Sequence, residues 1–170
     1  LLTDSKPMFV RFAEILGYSI MMQNTSAERI MMVLSGRDSE DVRQRLTKVG
    51  WTIRVVDEIP QPGTPAKDPR FRPLFTKLHV WNMTDTCDRV VMLDLDTLII
   101  INFDELFYLL PDSIKFGATP DNFYGEYVFG INAGVFICNP DREEFERLLI
   151  AKNDTSKYNV NYVEQAFLGY

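Results

Sequence analysis

Val90-Val91-Met92-Leu93, followed at once by Asp94-Leu95-Asp96, constrains this chain more than any other stretch. A run of Val, Met and Leu with no polar face reads as a strand covered on both sides, in the middle of an open, mostly parallel α/β sheet. Ligands of such sheets sit beyond the carboxyl ends of the strands, and here that end delivers two carboxylates one residue apart. So placed, they repel and lose hydration unless a hard cation or a set of donors lies between them. The expectation is a divalent cation held by Asp94 and Asp96.

The surrounding pattern agrees with an α/β class. Phe9, Phe12, Ala13, Leu16 and Ile20 fall at helical spacing after a cap at Thr3, Asp4 or Ser5. Arg29 to Leu34 reads as a strand, Asp38 or Ser39 caps a helix bearing Val42, Leu46 and Val49, and Thr52 to Val56 is a second strand. Helix, strand, helix, strand argues for parallel crossover units. Pro60 to Pro73, with five prolines, is expected to be a surface loop. A helix over Leu74 to Met83, a strand over Leu98 to Ile101 and a short helix from Asp104 to Leu109 follow. Strands at Phe116 to Thr119 and Val135 to Cys138, a helix from Arg142 to Ala151 capped by Asp141, and a last helix begun in Tyr162 to Tyr170 complete the reading. One domain spanning 1–170 is expected.

Composition excludes several classes. The chain has 170 residues, 46% of them hydrophobic, enough for a core. Its net charge of −6, with no basic stripe, argues against nucleic-acid binding. No apolar stretch approaches the roughly 20 residues of a membrane span. Cys87 and Cys138 form no CxxC and have no paired histidines, so free thiols in a reducing, cytoplasmic setting are expected. Three Asn-x-Ser/Thr matches, at Asn24, Asn82 and Asn153, are too common a pattern to move that reading.

A bare Asp-x-Asp is a weak signal, but its context is long. Thr76-Lys77-Leu78-His79-Val80-Trp81, Val91 to Leu98, Ala118-Thr119-Pro120-Asp121, Phe129-Gly130-Ile131-Asn132-Ala133-Gly134-Val135-Phe136 and Glu164-Gln165 form ordered blocks. Together they resemble glycosyltransferase family 8, the retaining enzymes of the glycogenin and galactinol synthase type, over essentially the whole chain. The resemblance implies a GT-A-type nucleotide-sugar-binding α/β/α sandwich and transfer of a hexose from a UDP-sugar to a hydroxyl on a sugar, an inositol or a protein tyrosine. It also implies manganese as the metal, with magnesium the alternative. Oxygen ligands by themselves favour either over zinc.

By that resemblance Asp94 and Asp96 bind the metal, Asp94 also reaches the ribose hydroxyls, and Leu95 belongs to the substrate-binding set. Lys77 offers a point charge to a phosphate or a sugar hydroxyl. Asn132, Ala133 and Gly134 let backbone approach the donor sugar, with the Asn132 amide able to donate and accept; a bulge or tight turn is the plainer account. Asp121 lies near the sugar, or serves a local turn. Glu164 and Gln165 stand beside the anomeric carbon, orienting the sugar and stabilising the cation-like transition state; on a helix start a carboxylate also gains from the dipole alone. The family usually has Asp where this chain has Glu164, one methylene longer. It also supplies a histidine metal ligand from a downstream His-x-x-Gly segment that this sequence does not contain. His79 is expected to pack. Only Leu1-Leu2-Thr3 remains of the amino-terminal strand that meets the base, so the chain is expected to be partial at both ends. A lost anchor would put it in the Golgi lumen, and homodimerisation stays open.

Two other readings compete with this one. A phosphatase of the haloacid dehalogenase type also places Asp-x-Asp after a buried strand, but the glycine that normally precedes its threonine is absent at Asp96-Thr97. A non-catalytic nucleotide-sugar-binding fragment is the other. Tyr124, Tyr127, Tyr158, Tyr162 and Tyr170 are candidate self-acceptors, none singled out.

Overall fold

The structure, a computed structural model, describes residues 1–63, 69–111, 113–121 and 130–170. Tyr124, Tyr127, Phe129 and residues 64–68 of the proline-rich stretch lie outside them. The chain forms two compact units, one of residues 1–58 with 94–108, the other of 59–93 with 109–170.

In the first unit the helix–strand alternation is realised as α1 (Pro7–Met21), β1 (Ile30–Leu34), α2 (Glu40–Lys48) and β2 (Thr52–Val56). β1 and β2 pair in parallel, Ile30 opposite Thr52 through Leu34 opposite Val56. Leu2, fully buried, extends the pairing by a parallel bridge to Val33, its N–H donating to the Met32 carbonyl at 2.8 Å.

Ser39 caps α2, its side chain accepting from the Val42 N–H. The caps considered for α1 are not used. That helix starts after Lys6 with Pro7 at its first position, whose missing N–H needs no partner. Asp4 instead accepts from the Lys6 N–H at 3.0 Å. Val10, Ala13, Leu16 and Ile20 form the buried stripe, while Phe9 and Phe12 are half-buried.

Leu98 to Ile101, expected as a strand, is not one. Its neighbour is α1, which offers single acceptors and not a strand edge. The Ile99 N–H donates to the Ser19 hydroxyl and the Asn102 amide to the Gln23 carbonyl. A short apolar run cannot report whether a pairing edge is at hand. The 3-10 helix Asp104–Tyr108 follows, and the Asp104 carboxylate accepts from the Ser26 N–H at 2.9 Å and from the Thr25 hydroxyl.

The second unit corrects the sheet expectation. β3 (Val90–Leu93), β4 (Phe116–Pro120) and β5 (Ile131–Cys138) form a three-stranded sheet in the order β3-β5-β4, antiparallel throughout. β3 lies at one end of that order, with only Met92 fully buried. Among the described strands, parallel pairing is confined to β1 and β2. An apolar run signals burial but not the direction of its partner. Trp81 stacks on Phe136 with ring centroids 5.6 Å apart, and Phe116 stands 5.7 Å from both, so one aromatic cluster backs this sheet.

The helix expected from Leu74 is a 3-10 helix running over Pro69–Asn82. Pro73, inside it, has no N–H and disfavours helical geometry just before it. α3 (Arg142–Ala151) is capped by Asp141, which accepts from the Glu143 and Glu144 N–H groups. A 3-10 turn, Val160–Tyr162, leads into α4 (Val163–Leu168). Cys87 and Cys138 are free thiols. Among the described residues no helix is long and apolar enough to cross a membrane.

Candidate functional site

The site in the second unit is built around an irregularity of β5. Ala118 of β4 faces Phe136, yet the next residue, Thr119, faces Asn132. Residues 133–135 therefore bulge out of the β4 ladder. Buried peptide groups set loose in this way need other partners, and two side chains supply them. The Ala133 carbonyl accepts from Lys77 Nζ at 3.1 Å, and the Ala133 N–H donates to Gln165 Oε1 at 3.1 Å. Asn132 Oδ1 accepts from the Gly134 N–H at 2.8 Å, closing the turn locally. The bulge that was the plainer account of this segment is real, and it is also what gathers the other candidates.

Lys77 lies in the middle of its 3-10 helix and is only 2% exposed. Its ammonium meets the Glu164 carboxylate at 2.9 Å, and Glu164 is 3% exposed. A buried ion pair of this kind recovers little net stability against an apolar pair, but removing one partner strands a charge. Gln165, one residue on, has both ends of its amide engaged. While Oε1 holds Ala133, Nε2 donates to Asp121 Oδ2 at 2.6 Å. The Asp121 N–H donates to the Gly130 carbonyl at 3.1 Å, so the half-buried Asp121 is fixed through backbone as well.

α4 presents Glu164 and Gln165 through an unusual backbone. Val163, immediately before them, sits at φ 51° and ψ −131°. A β-branched residue at positive φ is strained, by about 1–3 kcal/mol, and persists only where its surroundings over-determine it. Here the preceding 3-10 turn is fixed by Asn159, whose side chain accepts from the Asn161 N–H, and Val163 itself is 3% exposed. Nothing in the sequence announces this. A valine at that position reads as core.

Asp94, Leu95 and Asp96 lie on the turn after β3, in the first unit. The Asp94 carbonyl accepts from the Thr97 N–H at 3.2 Å and the Thr97 hydroxyl at 2.6 Å, which fixes the turn. Asp94 and Leu95 are half-buried and Asp96 is exposed. Carboxylate oxygens on a tight turn are suited to a hard divalent ion. Among the described residues no group of three or more His, Cys, Asp and Glu side chains gathers to hold a metal. His79 packs its ring against Phe145, centroids 5.6 Å apart.

Two further features escaped the sequence reading. Thr76, fully buried, accepts the Ile59 N–H through its hydroxyl at 3.1 Å. Lys152, 7% exposed, donates to the Pro60 carbonyl at 2.9 Å and lies 5.9 Å from the Phe75 ring centre. Burial holds its ammonium below the usual lysine range. The Phe75, Tyr158 and Phe167 rings cluster beside it, with centroids 5.3–6.3 Å apart.

No family model matches the chain. Individual proteins do. It is 27% identical to human glycogenin-1 over 89% of the chain and 42% of that protein. To inositol phosphorylceramide glucuronosyltransferase 1 of Arabidopsis thaliana it is 28% identical, over 94% of the chain and 27% of that protein. The chain thus spans less than half the length of either. Among solved structures, the galactosyltransferase LgtC in complex with donor and acceptor sugar analogues superposes with a TM-score of 0.64. That match covers 99% of this chain and 65% of LgtC at 21% identity, a likeness of fold.

Proposed function

From this similarity to family 8 glycosyltransferases, whose GT-A fold the chain shares, we propose that the protein is a metal-dependent, retaining glycosyltransferase. It moves a hexose from a UDP-sugar to a hydroxyl acceptor, and residues 1–170 belong to one catalytic domain. The observation that carries the reading is the convergence of Lys77, Glu164, Gln165 and Asp121 on the bulged Asn132–Gly134 segment. Ordinary strand continuity gives no reason to gather a cation, two carboxylates and an amide there.

In this reading Asp94 and Asp96 would hold a divalent ion, manganese or magnesium, which would supply positive charge for a departing diphosphate. Leu95 and Asp94 border the nucleotide. Asp121 accepts from sugar hydroxyls, and Asn132, whose amide oxygen is spent on Gly134, donates through its nitrogen. Gln165 fixes Asp121 and the Ala133 peptide at once, and the Lys77–Glu164 pair keeps the bulge rigid beneath the sugar. Preorganised dipoles of this kind act on the transition state without reorganising when the bond breaks. The two free thiols suit a reducing compartment such as the cytoplasm.

The test is donor hydrolysis and transfer with UDP-sugars and manganese, with and without a chelator, with anomeric configuration followed by NMR. Turnover with retention, lost on chelation and in Asp96→Asn, supports the proposal. Binding without turnover would make the protein a nucleotide-sugar binder, and phosphate release from a monoester would make it a phosphatase.

A further inference from the structure

We propose that residues 59–61 are a strap that fixes the entry to α4, and that Gln61 and Lys152 are positioning residues for Gln165. The inference rests on the glycosyltransferase reading above, in which Gln165 fixes Asp121 and the Ala133 peptide beneath the sugar.

Three side chains staple the strap within the second unit. The Thr76 hydroxyl accepts from the Ile59 N–H at 3.1 Å, Lys152 Nζ donates to the Pro60 carbonyl at 2.9 Å, and Gln61 Nε2 donates to the Val160 carbonyl at 2.9 Å. Ile59 and Pro62 are buried and Gln61 is half-buried. Gly63 passes close to Thr155, whose Cγ2 lies 3.6 Å from where a Cβ would stand. The segment thus runs along the connection between α3 and α4. Tyr158, within that connection, donates its hydroxyl to the Lys152 carbonyl and sets its ring against Phe75 and Phe167.

Val160 is where the strap meets the site. It opens the 3-10 turn, and three residues on Val163 holds its positive φ. Relaxation of Val163 to negative φ would re-aim the first turn of α4, which carries Glu164 and Gln165. Strain of this kind persists only under restraint from the surroundings. A hydrogen bond is of the same order of energy as the strain, so the Gln61 bond is large enough to matter. Lys152 acts one step further back, holding the peptide from which Gln61 reaches. Burying its ammonium works against stability, so its contribution lies in placement. Gln165 passes the restraint on, because its bonds to the Ala133 N–H and to Asp121 Oδ2 both depend on where α4 begins.

The experiment measures kcat and KM with UDP-glucose and UDP-galactose on the manganese-loaded protein, melting temperature, and amide hydrogen exchange at Ala133 by NMR. Gln61→Leu and Lys152→Met should each lower kcat by about tenfold, with KM for the donor moved by less than about twofold. Lys152→Met should do so without a lower melting temperature. In both variants the Ala133 N–H, released by Gln165, should exchange about tenfold faster while other β5 amides keep their rates. Gln61→Glu adds a signature in pH, because only its protonated carboxyl can donate to the Val160 carbonyl. Its kcat relative to the parent should rise as pH falls from about 8 to about 5, and that of Gln61→Leu should not. Should Gln61→Leu fail to fold, Lys152→Met and Gln61→Glu carry the test. Parent values of kcat and of Ala133 exchange in the variants overturn the inference and leave the glycosyltransferase reading intact. So does a loss of activity that follows melting temperature with all β5 amides exchanging faster together, the mark of general destabilisation. If the parent neither binds nor turns over the donors, the glycosyltransferase reading fails by itself, and Ala133 exchange still decides whether the strap holds Gln165.

Discussion

Single side chains differ sharply here in what their removal costs. Asp96 is exposed, with no ion pair among the described residues, so Asp96→Asn should abolish transfer while shifting stability by less than about 0.5 kcal/mol. Thermal melts beside activity measurements check this. Lys77→Met is the opposite case, because it strands the Glu164 carboxylate and orphans the Ala133 carbonyl. A loss of about 3–5 kcal/mol in denaturant unfolding is expected. Lys152 separates charge from usefulness. Its ammonium is buried against a carbonyl and a ring, with no carboxylate contact among the described residues, and burial lowers its pKa. A lysine whose folded pKa is depressed weakens the fold at neutral pH, and the penalty disappears as pH rises past the unfolded value near about 10.4. Lys152→Met should therefore equal or exceed the parent in stability at pH 7, with the advantage vanishing at high pH.

Elements were legible where a local rule fixes them and illegible where a partner does. Asp141, and Ser39 as one of two candidates with Asp38, were legible as caps because the N-cap bond is made within four residues, and Ser39 and Asp141 both make it. The Leu98–Ile101 strand failed because a strand needs an edge. Val163, which sets the entry of α4, carries no mark of its φ in its side chain. Packing between elements gives a sharper prediction at Gly17. A Cβ built there would lie 2.3 Å from Trp51 Nε1, which donates to the Ala13 carbonyl at 2.8 Å. Gly17→Ala should consequently cost about 1–3 kcal/mol by pushing α1 off the tryptophan, although alanine is the better helix former. Nearby, Arg45 grips Glu14 through two bonds of 2.7 and 2.8 Å, and the Arg45 hydrogen bond holds Glu14 below the usual carboxylate range. The depressed pKa makes this contribution present above the unfolded value, near about 4.3, and lost as pH falls through the folded one. Acid titration of Glu14→Gln against the parent should show a gap of about 1 kcal/mol at neutral pH that closes below pH of about 4.

For the molecule as a whole, ligand linkage is the decisive measurement. A nucleotide and metal that bind only the native state at about 100 times Kd add roughly 2.7 kcal/mol, or about 5–10 °C in Tm for a chain of this size. UDP with manganese should raise the melting temperature by that amount, and a chelator or the Asp94→Asn, Asp96→Asn double variant should remove the gain. By itself the sequence determined the α/β class, the capped starts of α2 and α3, and the residue types that bear chemistry, because periodicity, capping and the ordered blocks are written within short windows. Only the tertiary structure decided that β3 joins an antiparallel sheet, that β5 bulges at Ala133, and that Lys77 spends its charge on Glu164, 87 positions away. Pairing direction and ion-pair partners depend on which distant segment arrives alongside, and no local pattern of residues carries that information.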